Sequence, residues 1–269
     1  MSCVSGRQRA VTVFAAPAQA AEVVSSNIVG YEKVNIKNGF NAVGVQFFKV
    51  GGTAIDLQSV GVMDDNFTGP DLDTGLFTTE LMVWDPATSG YAYYGWSGTL
   101  GTDVLDNSDL DNVWLDENLE LPEGETTPAG AGFWINTSSS GNMTISGEVP
   151  ADSTKEISLS TGFNMVANPY PVATPISGFG KLDSSYTGPD LDTGLFTTEL
   201  MVWDPATSGY TYYGWSGSLG TDVLDNSDLD NVWLDENLEL PTESIPCGGA
   251  VWINASNAGK ITFTSPSAE

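Results

Sequence analysis

The chain has 269 residues, of which 35 are Asp or Glu, eight are Lys or Arg and none is His, giving a formal net charge of −27. That balance repels nucleic acid and anionic membranes, whose phosphates attract basic surfaces. The missing histidine excludes Ser-His-Asp and Cys-His catalysis. At 41% hydrophobic residues, the acidity is still compatible with a folded core and does not signal low-hydrophobicity disorder.

Residues 1–20 read as an export signal or an N-terminal arm. Arg7 and Arg9 form a small basic region, Val11 to Ala16 a short apolar one, and Ala18-Gln19-Ala20 a small-x-small cleavage pattern. Elsewhere nothing approaches the roughly 18 apolar residues of a membrane helix, so no transmembrane segment is expected. Val23 to Asn35 then reads as a spare segment, able to complete a neighbour's sheet by strand addition.

A first repeat domain is expected over residues 21–150 and a second over 151–269. In the first, strands are predicted at Asn41 to Val50, Gly132 to Asn136 and Met143 to Ser146. Between them, Glu80-Leu81-Met82-Val83-Trp84 and Tyr91-Ala92-Tyr93-Tyr94-Gly95-Trp96 are β-rich runs around the turn formers Asp85-Pro86-Ala87-Thr88-Ser89-Gly90, which is a hairpin. Its returning strand points Tyr91 and Tyr93 to one side and Ala92, Tyr94 and Trp96 to the other.

The second domain repeats all of this. Thr68 to Pro122 and Thr187 to Pro241 are one segment written twice, differing only at Ala92/Thr211 and Thr99/Ser218. Looser matches continue outward: Gly39-Phe40-Asn41 answers to Gly162-Phe163-Asn164, and Gly132-Phe133-Trp134 to Ala250-Val251-Trp252. The repeat is therefore a whole domain of about 120 residues, too long for a short solenoid unit. Short strands with dense Gly and Pro punctuation indicate an all-β fold: two tandem antiparallel β-sandwich or barrel-like domains.

Each near-identical block is rich in acids and free of Lys, Arg and His. Asp71, Asp73, Asp103, Asp106, Asp109 and Asp111, with Asp116 and Glu117 beyond, recur as Asp190, Asp192, Asp222, Asp225, Asp228 and Asp230, with Asp235 and Glu236. Close-spaced Asp and Asn in loops supply the oxygen ligands that Ca2+ takes. The EF-hand glycine and distal Glu are missing, so either calcium loops or a solvated acidic face fits. Soft metals find neither His nor a Cys cluster. Cys247 answers to Ala129 and reads as a small packing residue.

All eight tryptophans form repeat-matched pairs: Trp84/Trp203, Trp96/Trp215, Trp114/Trp233 and Trp134/Trp252. Core packing is one reading. The other is a sugar-stacking platform of Tyr91, Tyr93, Tyr94 and Trp96, which when repeated gains avidity on a glycan.

The segments Gly162-Phe163-Asn164-Met165-Val166-Ala167-Asn168-Pro169-Tyr170-Pro171, Val202-Trp203-Asp204-Pro205 with Gly209-Tyr210-Thr211-Tyr212-Tyr213, and Ile245-Pro246-Cys247-Gly248-Gly249-Ala250-Val251-Trp252-Ile253 resemble the β modules of large secreted and surface proteins of Gram-negative bacteria. The first repeat departs from that pattern at Val45-Gln46-Phe47. The resemblance implies a β scaffold and a secreted or cell-surface location; it carries over no functional residue.

Three function classes follow. The first is a secreted, non-catalytic extracellular structural or adhesive protein that self-associates into a fibre or surface layer, its acidic loops binding calcium. The second is a tandem carbohydrate-binding module pair meeting an extracellular glycan. The third is a glycoside hydrolase, for which so many acids offer no specific pair.

Overall fold

A computed structural model of the protein describes residues 29–71, 76–99, 110–190, 195–218 and 229–266. It is all-β and built twice. The first repeat runs through β1 (Val29–Ile36), β2 (Gly39–Gly44), β3 (Ile55–Asp56), β4 (Val62–Met63), β5 (Thr79–Asp85), β6 (Gly90–Trp96), β7 (Trp114–Leu115), β8 (Thr126–Thr127), β9 (Gly132–Thr137) and β10 (Gly141–Glu148). The second follows as β11 (Thr154–Leu159), β12 (Gly162–Ala167), β13 (Thr174–Pro175), β14 (Lys181–Leu182), β15 (Glu199–Asp204), β16 (Gly209–Trp215), β17 (Trp233–Leu234), β18 (Ser244–Ile245), β19 (Ala250–Ala255) and β20 (Gly259–Thr264).

Among the described residues each repeat is an antiparallel sandwich with the same strand order. A three-stranded sheet β1-β10-β4 packs with a five-stranded sheet β2-β9-β5-β6-β7, and the pair β3-β8 stands beside them. The second copy is β11-β20-β14, β12-β19-β15-β16-β17 and β13-β18.

The period-2 pattern of the hairpin places its residues. Leu81, Val83, Tyr94 and Trp96 turn into the core of their own repeat. Across the last strand pair, Trp96 is the register partner of Trp114, with ring centroids 5.2 Å apart. Buried indoles usually find an acceptor: Trp114 Nε1 donates to the Gly61 carbonyl at 3.0 Å, as Trp233 Nε1 does to that of Phe179 at 2.9 Å.

The Gly-Phe-Asn motif has a mechanical explanation. Gly39 and Gly162 stand at φ 92° and 91°, a conformation that a Cβ disfavours, and so turn the chain from one sheet layer to the other. The following Asn closes that turn: Asn41 Oδ1 accepts from Lys37 N at 2.9 Å while its Nδ2 donates to the Lys37 carbonyl at 2.7 Å. Asn164 makes the matching pair with Ser160.

Two expectations are corrected. Residues 29–35 of the segment read as spare are not free: all eight residues of β1 pair with β10, from Val29↔Glu148 to Ile36↔Gly141. Ile36 is buried and Val34 packs against the core of the same repeat, so releasing the strand would expose that core. The strand expected over Asn41 to Val50 ends at Gly44, because the chain then crosses between layers. Val45 bonds Gly130 and Ala131, and Phe48 exchanges backbone bonds with Glu148 at 2.8 and 2.9 Å. Part of each near-identical block closes against the other repeat.

That closure is reciprocal. Gly44 N donates to the Gly248 carbonyl and Ala167 N to the Gly130 carbonyl, both at 2.9 Å. Val43 bridges Gly249 and Ala131 bridges Val166. A Cβ on Gly44 would stand 2.3 Å from that of Ala167, so this approach requires glycine. Trp84 Nε1 donates to the Phe163 carbonyl at 2.7 Å, and Trp203 Nε1 to that of Phe40 at 2.8 Å. Each contact has its twin, as across a two-fold axis.

Candidate functional site

The acidic loops open from one place in each repeat. Asp71 N donates to the Leu76 carbonyl and Asp190 N to that of Leu195, both at 2.8 Å. A Cβ on Gly98 would meet Gly69 N at 2.5 Å, and Gly98 accepts from Asn112 N at 2.7 Å. The loop through Asp71 and the loop ending at Asp111 therefore leave the fold side by side, as do those of Asp190 and Asp230. Asp73, Asp103, Asp106, Asp109, Asp192, Asp222, Asp225 and Asp228 lie outside the described residues. Among the described residues no three His, Cys, Asp or Glu gather where they could hold a metal ion.

Two further acids serve the backbone. Asp116 Oδ1 accepts from Asn118 N at 2.8 Å and Glu120 N at 2.9 Å, around a Leu119 held at φ 62°. Asp235 does the same for Asn237 and Glu239. The hydrogen bond from the Glu120 N–H is the chief reason the Asp116 carboxyl sits below the usual carboxylate range.

The four-residue sugar platform is split by the sheet. Tyr94 and Trp96 are buried in the core, and the Tyr94 hydroxyl donates to the Glu125 carboxylate. Tyr91 and Tyr93 stay on the opposite face, which they share with Met82 and Trp84 through the register Met82↔Tyr93 and Trp84↔Tyr91. On the neighbouring strand Trp134 joins this face as partner of Met82.

Here the two repeats meet, and their rings form two crossed chains. One runs Phe163–Trp252–Trp84–Tyr91–Tyr93, with centroids 5.9, 5.4, 5.0 and 6.2 Å apart. Its twin runs Phe40–Trp134–Trp203–Tyr210–Tyr212 at 5.9, 5.5, 5.0 and 6.4 Å. Each chain starts in one repeat, crosses at its pair of tryptophans and ends in the other. Edge-to-face pairs of this kind contribute about 0.5–1.5 kcal/mol each beyond their buried area. The Tyr91 and Tyr210 hydroxyls are pushed up in pKa, chiefly by burial, with the Trp134 and Trp252 indoles as their respective hydrogen-bond neighbours.

The contact is incompletely closed. A cleft of about 340 Å³ remains, lined by Trp84 and Tyr91 of the first repeat and by Phe163, Met201, Tyr210, Tyr212 and Trp252 of the second. Tyr212 is 54% exposed and Phe163 46%, while Trp252 is buried. The volume is within the range of ordinary small-ligand sites, roughly 300–1,000 Å³.

Cys247 lies at the joint as well. Its Sγ is 3.1 Å from Glu32 Oε2 and 3.2 Å from Gln46 Oε1, both in the other repeat. Burial, followed by the Glu32 carboxylate, pushes the thiol up to about 12. It packs, as expected of it, but between repeats and only half-buried.

Sequence reading missed Phe40 and Phe163 and gave Trp84 and Trp134 no partner. One signal was available: Leu81-Met82-Val83-Trp84 is apolar at every position, and a strand without alternation is covered on both faces. No family model matches the chain, and comparison with curated proteins and with solved structures finds no match. The likeness to secreted β modules therefore rests on the motif residues alone.

Proposed function

We propose that this is a secreted, non-catalytic structural or adhesive protein of a Gram-negative cell surface, which self-associates and whose acidic loops bind calcium. The observation that carries this reading is the duplicated sandwich itself, locked by a reciprocal aromatic joint into one two-fold body. An all-β body of this kind is consistent with a structural rather than an enzymatic role. The motif resemblance and the leader pattern support export, and the paired exits of the acidic loops support a cation.

The joint also constrains how copies would associate. A two-fold face that meets its own twin is satisfied and does not propagate. Contacts between chains therefore fall on other surfaces, such as the outer edge of β1, where Val29 and Tyr31 are 63% and 74% exposed.

A calcium titration followed by thermal melting and light scattering tests the reading. Binding confined to the native state raises the melting temperature, with about 2.7 kcal/mol gained at a hundredfold excess over Kd. Growth of scattering particles is the expected sign of assembly. An unchanged melting temperature together with dispersed monomers in electron micrographs, with and without calcium, would overturn it.

A further inference from the structure

The cleft between the repeats has three properties that together select a ligand. Its rim consists of exposed rings, Tyr212 and Phe163, over the buried floor of Trp252 and beside the Trp84 wall supplied by the other repeat. The next row of the same sheet face is polar: Asn254 is the register partner of both Phe163 and Glu199. No Lys or Arg lines the cleft, in a chain of net charge −27.

From these we infer that the cleft binds a neutral glycan, with one sugar ring lying on Tyr212 and Phe163 and its hydroxyls reaching Glu199 and Asn254. A pyranose presents C–H groups on its face and hydroxyls at its rim. The C–H face meets the negative face of an aromatic ring. A carboxylate accepts from hydroxyls, and a carboxamide both donates and accepts, so the pair next to the rings can satisfy hydroxyls of either sense. Uronates, sulfated glycans and phosphates are disfavoured, because no Lys or Arg is among the described residues lining the cleft and the chain as a whole is strongly negative.

The same ring types recur across the axis as Tyr93, Phe40 and Trp134, with Trp203 in the place of Trp84 and the Glu80–Asn136 pair in the place of Glu199–Asn254. A polymer engaging both sides gains effective concentration that a short oligosaccharide lacks. This inference rests on the adhesive reading and names what the surface adheres to.

Affinity electrophoresis of the full chain through gels containing neutral polysaccharides (β-glucan, xylan, galactomannan) tests it, with alginate as the anionic control. We expect retardation by at least one neutral polymer and none by alginate. Tyr212→Ala and Phe163→Ala, both at the rim and not in a core, should each weaken binding about tenfold. Val62→Ala, exposed on β4 of the three-stranded sheet and not among the cleft residues, should leave it unchanged. Absence of retardation on every neutral gel, or retardation by alginate alone, would sink the inference. So would retardation that survives Tyr212→Ala and Phe163→Ala together, although adhesion to glycan through another surface would then still stand.

Discussion

The tryptophans of this chain divide into two sets that solve different problems. Trp96, Trp114, Trp215 and Trp233 are at most 1% exposed and hold each sandwich together from inside. Trp84, Trp134, Trp203 and Trp252 stand on the other face of the same five-stranded sheets and hold one sandwich to the other. Two positions of the same hairpin, Trp84 and Trp96, belong to different sets because a strand alternates its faces. The residue type is constant; what differs is whether its partner comes from its own repeat.

Breaking the first set should have the largest effect. Trp114→Ala empties a site that is fully buried and leaves the Gly61 carbonyl without its donor. A loss of about 3–5 kcal/mol is expected for the first repeat. Denaturant unfolding should then show that repeat melting early while the second persists. Equal loss in both repeats would mean that they fold as a single cooperative unit.

The second set should yield a smaller loss of a different kind. Trp84→Ala removes a hydrogen bond to Phe163 and ring contacts to Trp252 and Tyr91, about 2 kcal/mol in all. Trp203→Ala should match it. In the double variant the second deletion should do less than the first, because the joint has already opened. Strict additivity would show the two contacts to be independent.

The joint can also be probed gently through Cys247. In the native chain its thiol is raised from 9.0 to about 12 by burial and by Glu32. Between those values the unfolded chain has released a proton that the folded chain retains. The contribution is therefore fully present below about pH 9 and is lost as pH rises toward 12. Alkylation at pH 8 should be slow in the native protein and fast after unfolding, and Cys247→Ala should flatten the alkaline limb. Fast native alkylation would place the thiol outside the joint.

How much of this was legible follows from where each residue finds its partner. The hairpin was legible because turn chemistry and alternation are local. The repeat was legible because it is nearly literal. β1 was missed because Gly30-Tyr31-Glu32-Lys33 carries little apolar signal, and its place is fixed by Val34, Ile36 and a strand that arrives more than a hundred residues later. Tyr93 and Tyr94 look interchangeable in sequence; one is 54% exposed and the other 6%. The joint was hidden for a further reason. Trp84 answers to Trp203 by sequence yet touches Trp252, so comparing the copies pairs the wrong tryptophans.

The strand order also decides how the molecule bears a pull. Val29 lies opposite Glu148, and Thr154 opposite Thr264, so the chain enters and leaves each sandwich at neighbouring strand ends. Tension drawn along the chain would load one hydrogen bond at a time and peel β1 from β10, and β11 from β20, like a zipper. Strands pulled lengthwise past one another would instead share the load across the whole ladder. Each sandwich is thus the expected yielding link, and because Glu32 of β1 meets Cys247 of the other repeat, peeling that strand would also undo one contact of the joint.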